Sequence, residues 1–325
     1  MTSTSSIDGV LIKWGERLFY PRNRVVRSQT PRLHTSSQRA ALIRSRIETT
    51  VRRAPQVMVK VTGGGRGMKA IAAHFRYISK NGRLDIEDDR GVVERGKEAL
   101  AGIERQWKIG GSLIENESPR REAFNIMLSM PRGTDPLALQ RAARDFAKIE
   151  FADHRYVMVL HDHQANPHVH LSVRAESKHG KRLNPRKTDL HRWRETFAEK
   201  LRERGIDAEA TRQATRGAYR RSERLWAHKT NAVLSIPPQG NKTGKNFRHN
   251  RSEALHAWAA IARALGASGV PADRQLSASI ERYVRQMPIV QVVLHQREKA
   301  KLQERTGATR TSAPPPERKG PEIER

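Results

Sequence analysis

The stretch RYVMVLHDHQANPHVHLSV, residues 155–173, consists of two apolar segments separated by a short polar turn. Each apolar segment is typical of a β-strand, and Asp162–Pro167 is short enough to be the loop of a hairpin. Side chains alternate between the two faces of a strand, so His168 and His170 share one face. Folding of the hairpin would bring His161 opposite that pair. The stretch therefore predicts three convergent imidazoles on an antiparallel pair of strands.

Three neutral imidazoles are suitable ligands for Zn, Mn, Fe, Co or Ni. The chain contains no cysteine, so a thiolate site is excluded. His163, within the loop, is a candidate fourth ligand, and an incidental histidine-rich surface turn is the alternative reading. A bound ion would either activate water or polarise a phosphate for attack by a side chain of the protein, and the spacing does not choose between these two reactions.

The charge of the chain indicates a polyanionic partner. Lys and Arg number 62 against 34 Asp and Glu, which gives a net charge of +28 over 325 residues. Nucleic acid is the polyanion that such a surface most commonly binds, although a merely basic surface is the alternative. No run approaches eighteen apolar residues, so we expect no membrane span.

A candidate nucleophile lies upstream, in the segment QVMVKVTGGGRGMKAIAAHFRYISKNG, residues 56–82. Its pattern predicts a strand, a glycine-rich turn and an amphipathic helix with Ile71, Phe75 and Ile78 on its buried stripe. Tyr77 falls off that stripe and lies near His74, three residues earlier in the helix. A surface tyrosine with no catalytic role is the alternative.

The glycine-rich turn of this segment is a second candidate feature. Gly63–Gly67, with Arg66 inside it, leads directly into the N-terminus of the predicted helix. Free amides and the helix dipole favour a phosphate at such a position. The signal is weak because the Lys-Ser/Thr pair of a nucleotide-binding loop does not follow.

The order of predicted elements indicates an α+β fold, with a central antiparallel β-sheet and packed helices. The pattern predicts a strand over residues 123–130 and, after it, a helix that is capped by Thr134 and has Ile149 in its buried stripe. A further helix is predicted over residues 189–204. The predicted organisation is a basic, flexible N-terminal arm (1–55), the α+β domain (56–217), a linker (218–250), a helical region (251–295) and a disordered basic tail (296–325).

Three blocks of the chain resemble the relaxase/mobilisation nuclease family. These DNA strand transferases of the HUH endonuclease group start plasmid conjugation and include the T-DNA border endonuclease. The blocks cover about residues 57–217, and the third is the most specific. They are GGGRGMKAIAAHFRYISKNG, LSMPRGTDP, and HDHQANPHVHLSV followed by GKRLNPRKTDLHRWRETFAEKLRERGIDA.

The resemblance implies roles for particular residues in an HUH relaxase-like fold. Tyr77 would be the nucleophile, and Ser129 would help to seat DNA beside the site. The histidines 161, 168 and 170 would hold a divalent metal ion, Mg²⁺ or Mn²⁺. The family commonly has Asp at the position of His163, so this chain departs there, and the adjacent Asp162 is the carboxylate that would orient a ligand or accept a proton.

The function implied is that of a DNA relaxase, which nicks one strand at an origin of transfer and forms a 5′-phosphotyrosine link. Expected partners are single-stranded origin DNA, accessory relaxosome proteins and a type IV coupling protein. The expected location of the protein is the bacterial cytoplasm, from which it would be translocated with the DNA to the recipient cell. Three alternatives stay open: a replication-initiator HUH nuclease, a metal-dependent hydrolase that does not need Tyr77, and a nonenzymatic nucleic-acid-binding protein.

Overall fold

The computed structural model describes residues 4–20, 35–218 and 245–310, which fall into two compact units. Residues 23–211 form the first unit, called here the sheet unit, and residues 1–22 with 212–325 form the second, called the helical unit. In chain order the elements are α1 (Thr4–Phe19), α2 (Ser36–Val51), β1 (Met58–Gly63), α3 (Met68–Ile78), β2 (Ile86–Asp88), β3 (Val93–Glu94), α4 (Lys97–Ile109), β4 (Ala123–Ser129), α5 (Pro136–Glu150), β5 (His154–His161), β6 (His168–Ser177), α6 (Lys187–Glu203), α7 (Lys245–Gly266), α8 (Pro271–Arg285) and α9 (Pro288–Arg310).

The strands of the sheet unit form one antiparallel sheet, which confirms the predicted α+β class. Within the described residues the sheet has six strands, in the order β1-β4-β6-β5-β2-β3. The hairpin predicted from the histidine-rich stretch lies at its centre, where β6 pairs with both β5 and β4. The two central strands are therefore held from both sides, which restricts the positions of the side chains that they carry.

Helices cover both faces of this sheet, and strand alternation separates the two cores. On one face α5 and α6 bury Phe146, Trp193 and Phe197 against alternate residues of the strands, such as Val169 and Leu171. On the other face, α3 and α4 pack against β5 through a second set of buried residues that includes Ile71, Phe75, Trp107, Val157 and Val159. His168 and His170 alternate with Val169 and Leu171, so they belong to the α3 side.

Two local details of α5 differ from the prediction. The N-cap is Asp135 instead of Thr134, because the Asp135 carboxylate accepts hydrogen bonds from the backbone amides of Leu137 and Ala138. The hydroxyl of Thr134 instead donates to the carbonyl of Pro131 within the preceding turn. Ile149, predicted to be buried, is 38% exposed because the sheet covers only the other side of the helix.

The prediction of a flexible arm over residues 1–55 is wrong for the parts that the structure describes. Both α1 and α2 are amphipathic helices, with Ile7 and Leu11 buried in the helical unit and Ile43 and Ile47 buried in the sheet unit. The Arg- and Ser-rich composition conceals these stripes, which lie at helical spacing. The sheet unit therefore extends beyond the predicted range 56–217 to include α2, while residues 212–217 group with the helical unit.

The predicted linker and tail also require correction. Of the predicted linker 218–250, residues 219–244 lie outside the described residues, and 245–250 already belong to α7, so this helix does not start at the capping-box-like Asn250. Helix α9 extends through residues 296–310 of the predicted disordered tail, and residues 311–325 lie outside the described part. In the helical unit, Trp258 packs between Phe19 and Tyr283 and donates a hydrogen bond of 2.8 Å to the carbonyl of Thr215. Among the described helices, none has both the length and the apolar character that crossing a bilayer requires.

Candidate active site and metal centre

The β5–β6 hairpin brings three histidine side chains together on the α3 side of the sheet. His161 lies opposite His168 in the register, and His170 lies opposite Val159 on the same face. The ring centroids are 5.0 Å apart for His161 and His168, 4.6 Å for His161 and His170, and 5.0 Å for His168 and His170. One ligand nitrogen from each ring lies within 4.8 Å of the other two. This spacing allows the three rings to share one ion.

Backbone carbonyls determine which nitrogen of two of these rings is available to a metal. A carbonyl only accepts, so Nε2 of His161 donates to the carbonyl oxygen of Ile78 at 2.7 Å and leaves Nδ1 with the lone pair. Nδ1 of His168 donates to the carbonyl of Asn166 at 3.0 Å, which leaves Nε2. Such outer hydrogen bonds are typical of metal-binding histidines, whose rings they orient.

Burial favours the neutral form, which a metal requires, for His161 and His170. Desolvation lowers the pKa of His161, and it lowers the pKa of His170 to about 3. Nδ1 of His161 and Nδ1 of His170 are buried with no hydrogen-bond partner within the described residues. Unpartnered buried nitrogens are costly, and a bound cation would satisfy the lone pair that His161 presents. The residues therefore fit a divalent ion.

Tyr77 lies beside the histidines, in the last turn of α3. The helix buries Ile71, Phe75 and Ile78, whereas the Tyr77 side chain is 70% exposed. Its ring centroid is 6.5 Å from that of His170. The predicted placement of Tyr77 off the buried stripe is thus present, and sheet packing adds its closeness to the triad, which the sequence spacing of about ninety residues does not reveal.

His74 lies beside both the tyrosine and the triad. Its ring centroid is 6.3 Å from that of Tyr77 and 6.3 Å from that of His170. The side chain is half-buried, desolvation lowers its pKa, and its buried Nε2 has no hydrogen-bond partner among the described residues. His74 therefore supplies a neutral imidazole next to the candidate nucleophile.

The other predicted site residues have different positions. The exposed ring of His163 is 5.1 Å from that of His161, but His163 is outside the group of three convergent ligands, and Asp162 is exposed on the same turn. Ser129 is opposite His168 in the register and is buried, and its hydroxyl donates to the carbonyl of Pro167 at 3.2 Å. Ser129 therefore holds the end of the hairpin loop that precedes His168.

The glycine turn and Arg66 lie at the opposite end of α3. Tyr77 lies nine residues after Met68, the first residue of the helix, which is a distance of about 14 Å along the helix axis. Arg66 donates to the carbonyl of Pro119. The first amides of the helix are already used, since Met68 donates to the carbonyl of Glu115 at 2.8 Å and Lys69 to that of Asn116 at 3.1 Å. The prediction of a phosphate site at this helix N-terminus is therefore wrong.

A pocket of about 370 Å³ opens beside Tyr77 and His161. The turn after α3 forms one wall with Lys80, Asn81 and Arg83, and the hairpin loop contributes the other wall. The sequence indicated Asn81 only as a helix terminator and did not single out Arg83 or Gln164. The pocket is lined by Tyr77, Lys80, Asn81, Arg83, His161, His163 and Gln164.

Comparison with known proteins finds a similarity in the central part of the chain. A family model described as "Relaxase: MobA/VirD2-like, nuclease domain" matches residues 78–206. The matched range contains the histidine triad and Ser129, and it begins one residue after Tyr77. No curated protein matches the chain.

Proposed function

Residues 78–206 form a nuclease domain of the MobA/VirD2-like relaxase family, and from this premise we propose that the protein cuts and rejoins one strand of DNA with Tyr77 as the nucleophile. A nuclease domain of this family acts on DNA as an endonuclease or strand transferase. The observation that carries the proposal is the position of an exposed tyrosine whose ring is 6.5 Å from that of His170, beside three convergent imidazoles.

The reaction is a transesterification. The phenolic oxygen of Tyr77 attacks the scissile phosphorus, the new O–P bond forms as the bond from phosphorus to the 3′-oxygen breaks, and the phenolic proton is released to a base or to solvent while the leaving 3′-oxygen gains a proton. The products are a 5′-phosphotyrosine and a free 3′-hydroxyl. No water is added and the number of phosphodiester bonds is conserved, so the reverse step rejoins the strand without an external energy source.

His161, His168 and His170 would hold the divalent ion. When bound, the ion supplies neutralisation of charge on the non-bridging phosphate oxygens. The proposed ion is Mg²⁺ or Mn²⁺, and the all-imidazole donor set favours Mn²⁺ of the two, because Mg²⁺ prefers oxygen ligands. His74 would act beside Tyr77 as a neutral hydrogen-bonding group for the phenol.

We further propose that the substrate is single-stranded DNA at an origin of transfer, and that the reaction starts conjugative transfer or mobilisation of a plasmid. The net charge of +28 supports contacts with a DNA backbone on either side of the cut. Accessory relaxosome proteins, a type IV coupling protein and a bacterial cytoplasmic location, followed by translocation with the strand, belong to the same proposal.

The test is the capture of a covalent adduct from a pool of single-stranded oligonucleotides with a random central segment. The protein is incubated with the pool and Mn²⁺ or Mg²⁺, and DNA attached to protein after denaturation in SDS is sequenced. We expect a defined cut site, and we expect both Tyr77→Phe and a chelator to abolish the adduct while the affinity for DNA is retained.

Tyr156→Phe is the matched control, since Tyr156 is buried on the opposite face of the sheet and burial raises its pKa to about 12. This variant should form the adduct at the wild-type rate. An undiminished adduct in Tyr77→Phe would show that another residue is the nucleophile. Cutting without any adduct would favour the hydrolase, and DNA binding without cutting under all conditions would favour the nonenzymatic binding protein.

A further inference from the structure

The turn that follows α3 has an uncommon backbone conformation. Lys80, Asn81 and Gly82 have φ values of 51°, 59° and 79°, so three consecutive residues lie in the left-handed region. For the two residues that are not glycine, this conformation is strained. Surrounding hydrogen bonds maintain it: the amide of Asn81 donates to the carbonyl of Arg76 at 2.7 Å, and the amide of Gly82 donates to the Ser79 hydroxyl at 3.0 Å.

The consequence of this conformation is the arrangement of side chains on the pocket wall. Lys80, Asn81 and Arg83 all line the pocket beside Tyr77, across from Gln164 of the hairpin loop. Within the described part of the chain, Lys80 and Arg83 contact no carboxylate, whereas nearby cations such as Arg76 and Arg90 are paired with Glu104 and Asp88. Unpaired cations at a pocket wall are available to an anionic ligand.

We propose that this pocket binds the part of the DNA strand that stays attached to Tyr77: the first nucleotide on the 3′ side of the cut, with Lys80 and Arg83 on the phosphate that follows it. The proposal rests on the proposed function. The volume of the pocket, about 370 Å³, is within the range of pockets that bind small ligands, about 300–1,000 Å³.

The geometry of the reaction selects this side of the cut. In an in-line displacement the leaving 3′-oxygen departs on the side of the phosphorus opposite the attacking oxygen, so the released strand lies away from Tyr77. The retained nucleotide is joined through its 5′-phosphate to the Tyr77 oxygen and must lie within a few bond lengths of it. Tyr77 itself forms part of the pocket wall, and Asn81 and Gln164 offer hydrogen-bond donors and acceptors to a base.

The experiment compares substrates that differ only on the 3′ side of the cut, built on the cut site found with the random pool. One substrate ends a single nucleotide after the cut and therefore lacks the next phosphate, and the other continues for four nucleotides. Affinity is measured by fluorescence anisotropy in a Tyr77→Phe background, so that no cutting occurs. Lys80→Gln with Arg83→Gln removes both positive charges, and Arg141→Gln with Lys148→Gln removes two exposed charges from α5, on the other face of the sheet.

We expect Lys80→Gln/Arg83→Gln to weaken binding of the longer substrate by at least about tenfold, because a hydrogen bond to a charged group contributes about 1.5–3 kcal/mol. The loss on the shorter substrate should be less than about twofold. The slope of log affinity against log salt should fall by about 0.7 on the longer substrate, because both cations neutralise the same phosphate. Arg141→Gln/Lys148→Gln should change neither difference.

Gln164→Glu is a second variant, which leaves the turn and both cations intact and places a negative charge on the opposite wall. It should weaken binding of both substrates and of the longer one more, because the retained nucleotide is present in both and the following phosphate only in the longer one. For either variant, losses that are equal on the two substrates, or no loss on either, would overturn the assignment. Absence of any wild-type adduct would refute the proposed function instead, so the two failures are distinguishable.

Discussion

His161 donates a hydrogen bond of 2.7 Å from Nε2 to the carbonyl oxygen of Ile78, the residue that follows Tyr77. One imidazole thus connects the central hairpin to the last turn of α3, while its other nitrogen, Nδ1, is buried without a partner among the described residues. The hydrogen bond fixes the tautomer of the ring and also the position of the helix end that carries the candidate nucleophile.

His161→Ala should lower the affinity for Mn²⁺ by well over tenfold, because the variant loses one of three ligands and loss of an outer-shell partner alone costs about 10–100-fold. Isothermal titration calorimetry on the protein purified with chelator measures this affinity. His179→Ala is the matched control, since His179 is 75% exposed and pairs with Asp153 at 3.6 Å. Wild-type affinity in His161→Ala would exclude this residue as a ligand.

The metal-free protein should lose stability as the pH falls from 7.5 to 5.5. Burial lowers the pKa of His170 to about 3, below the value of about 6.5 in an unfolded chain. The unfolded state then binds more protons below pH 6.5, so the free energy of unfolding decreases with decreasing pH. The contribution of His170 over this interval is up to about 1.4 kcal/mol.

Urea unfolding in the presence of chelator, followed by tryptophan fluorescence, measures this dependence. His170→Gln should reduce the difference between pH 7.5 and pH 5.5 by up to about 1.4 kcal/mol. The comparison uses the pH dependence of each protein and not its absolute stability, so a general loss of packing in the variant does not affect it. An identical pH dependence in wild type and variant would contradict the assignment.

Ser129→Ala should destabilise the sheet unit by about 1 kcal/mol and leave the affinity for DNA unchanged. The buried hydroxyl donates to the carbonyl of Pro167, and this carbonyl still accepts the amide of Met130 at 3.3 Å in the variant, so no buried acceptor is left unpaired. Thermal unfolding and binding of a single-stranded oligonucleotide are the two measurements. Reduced DNA affinity at unchanged stability would instead support a direct role of Ser129 in seating DNA.

Arg46→Met should destabilise the protein by about 3 kcal/mol or more. Arg46 of α2 is buried and contacts Glu195 and Glu209, each at 2.9 Å, and burial raises the pKa of Glu195. Removal of the shared cation leaves the buried carboxylate of Glu209 and the partly buried one of Glu195 without this compensating charge, and breaking a buried ion pair typically costs about 3–5 kcal/mol. Urea unfolding followed by circular dichroism measures the loss.

Arg52→Met is the control for this prediction. Arg52 is the C-cap residue of the same helix, but it is 67% exposed and lies 3.8 Å from Asp207, so its pair should contribute less than about 1 kcal/mol. Replacing Glu195 and Glu209 with Gln in the Arg46→Met protein should recover part of the stability. A loss of stability as small as that of Arg52→Met would mean that α2 is not an integral part of the sheet unit.

Local periodicity allowed the sequence to predict the centre of the fold well. The elements β4, β5, β6, α3, α5 and α6 all have short apolar patterns whose period identifies them. The predictions failed where the pattern was diluted by basic residues, as in α1 and α2, and at the start of α5, where the N-cap is Asp135 and not the predicted Thr134. Composition indicated a flexible arm there, but only burial against the rest of each unit reveals the stripes.

The candidate site divides in the same way. The sequence determined that His168 and His170 share a face and that a six-residue loop returns the chain beside His161, because strand alternation and hairpin length are fixed by backbone geometry. Only the tertiary structure decided that Tyr77 lies beside His170, that Ile78 orients His161, and that Lys80 and Arg83 line one pocket with Gln164. These relationships join residues far apart in the chain, and they depend on how α3 packs against the sheet, which no local pattern of residues encodes.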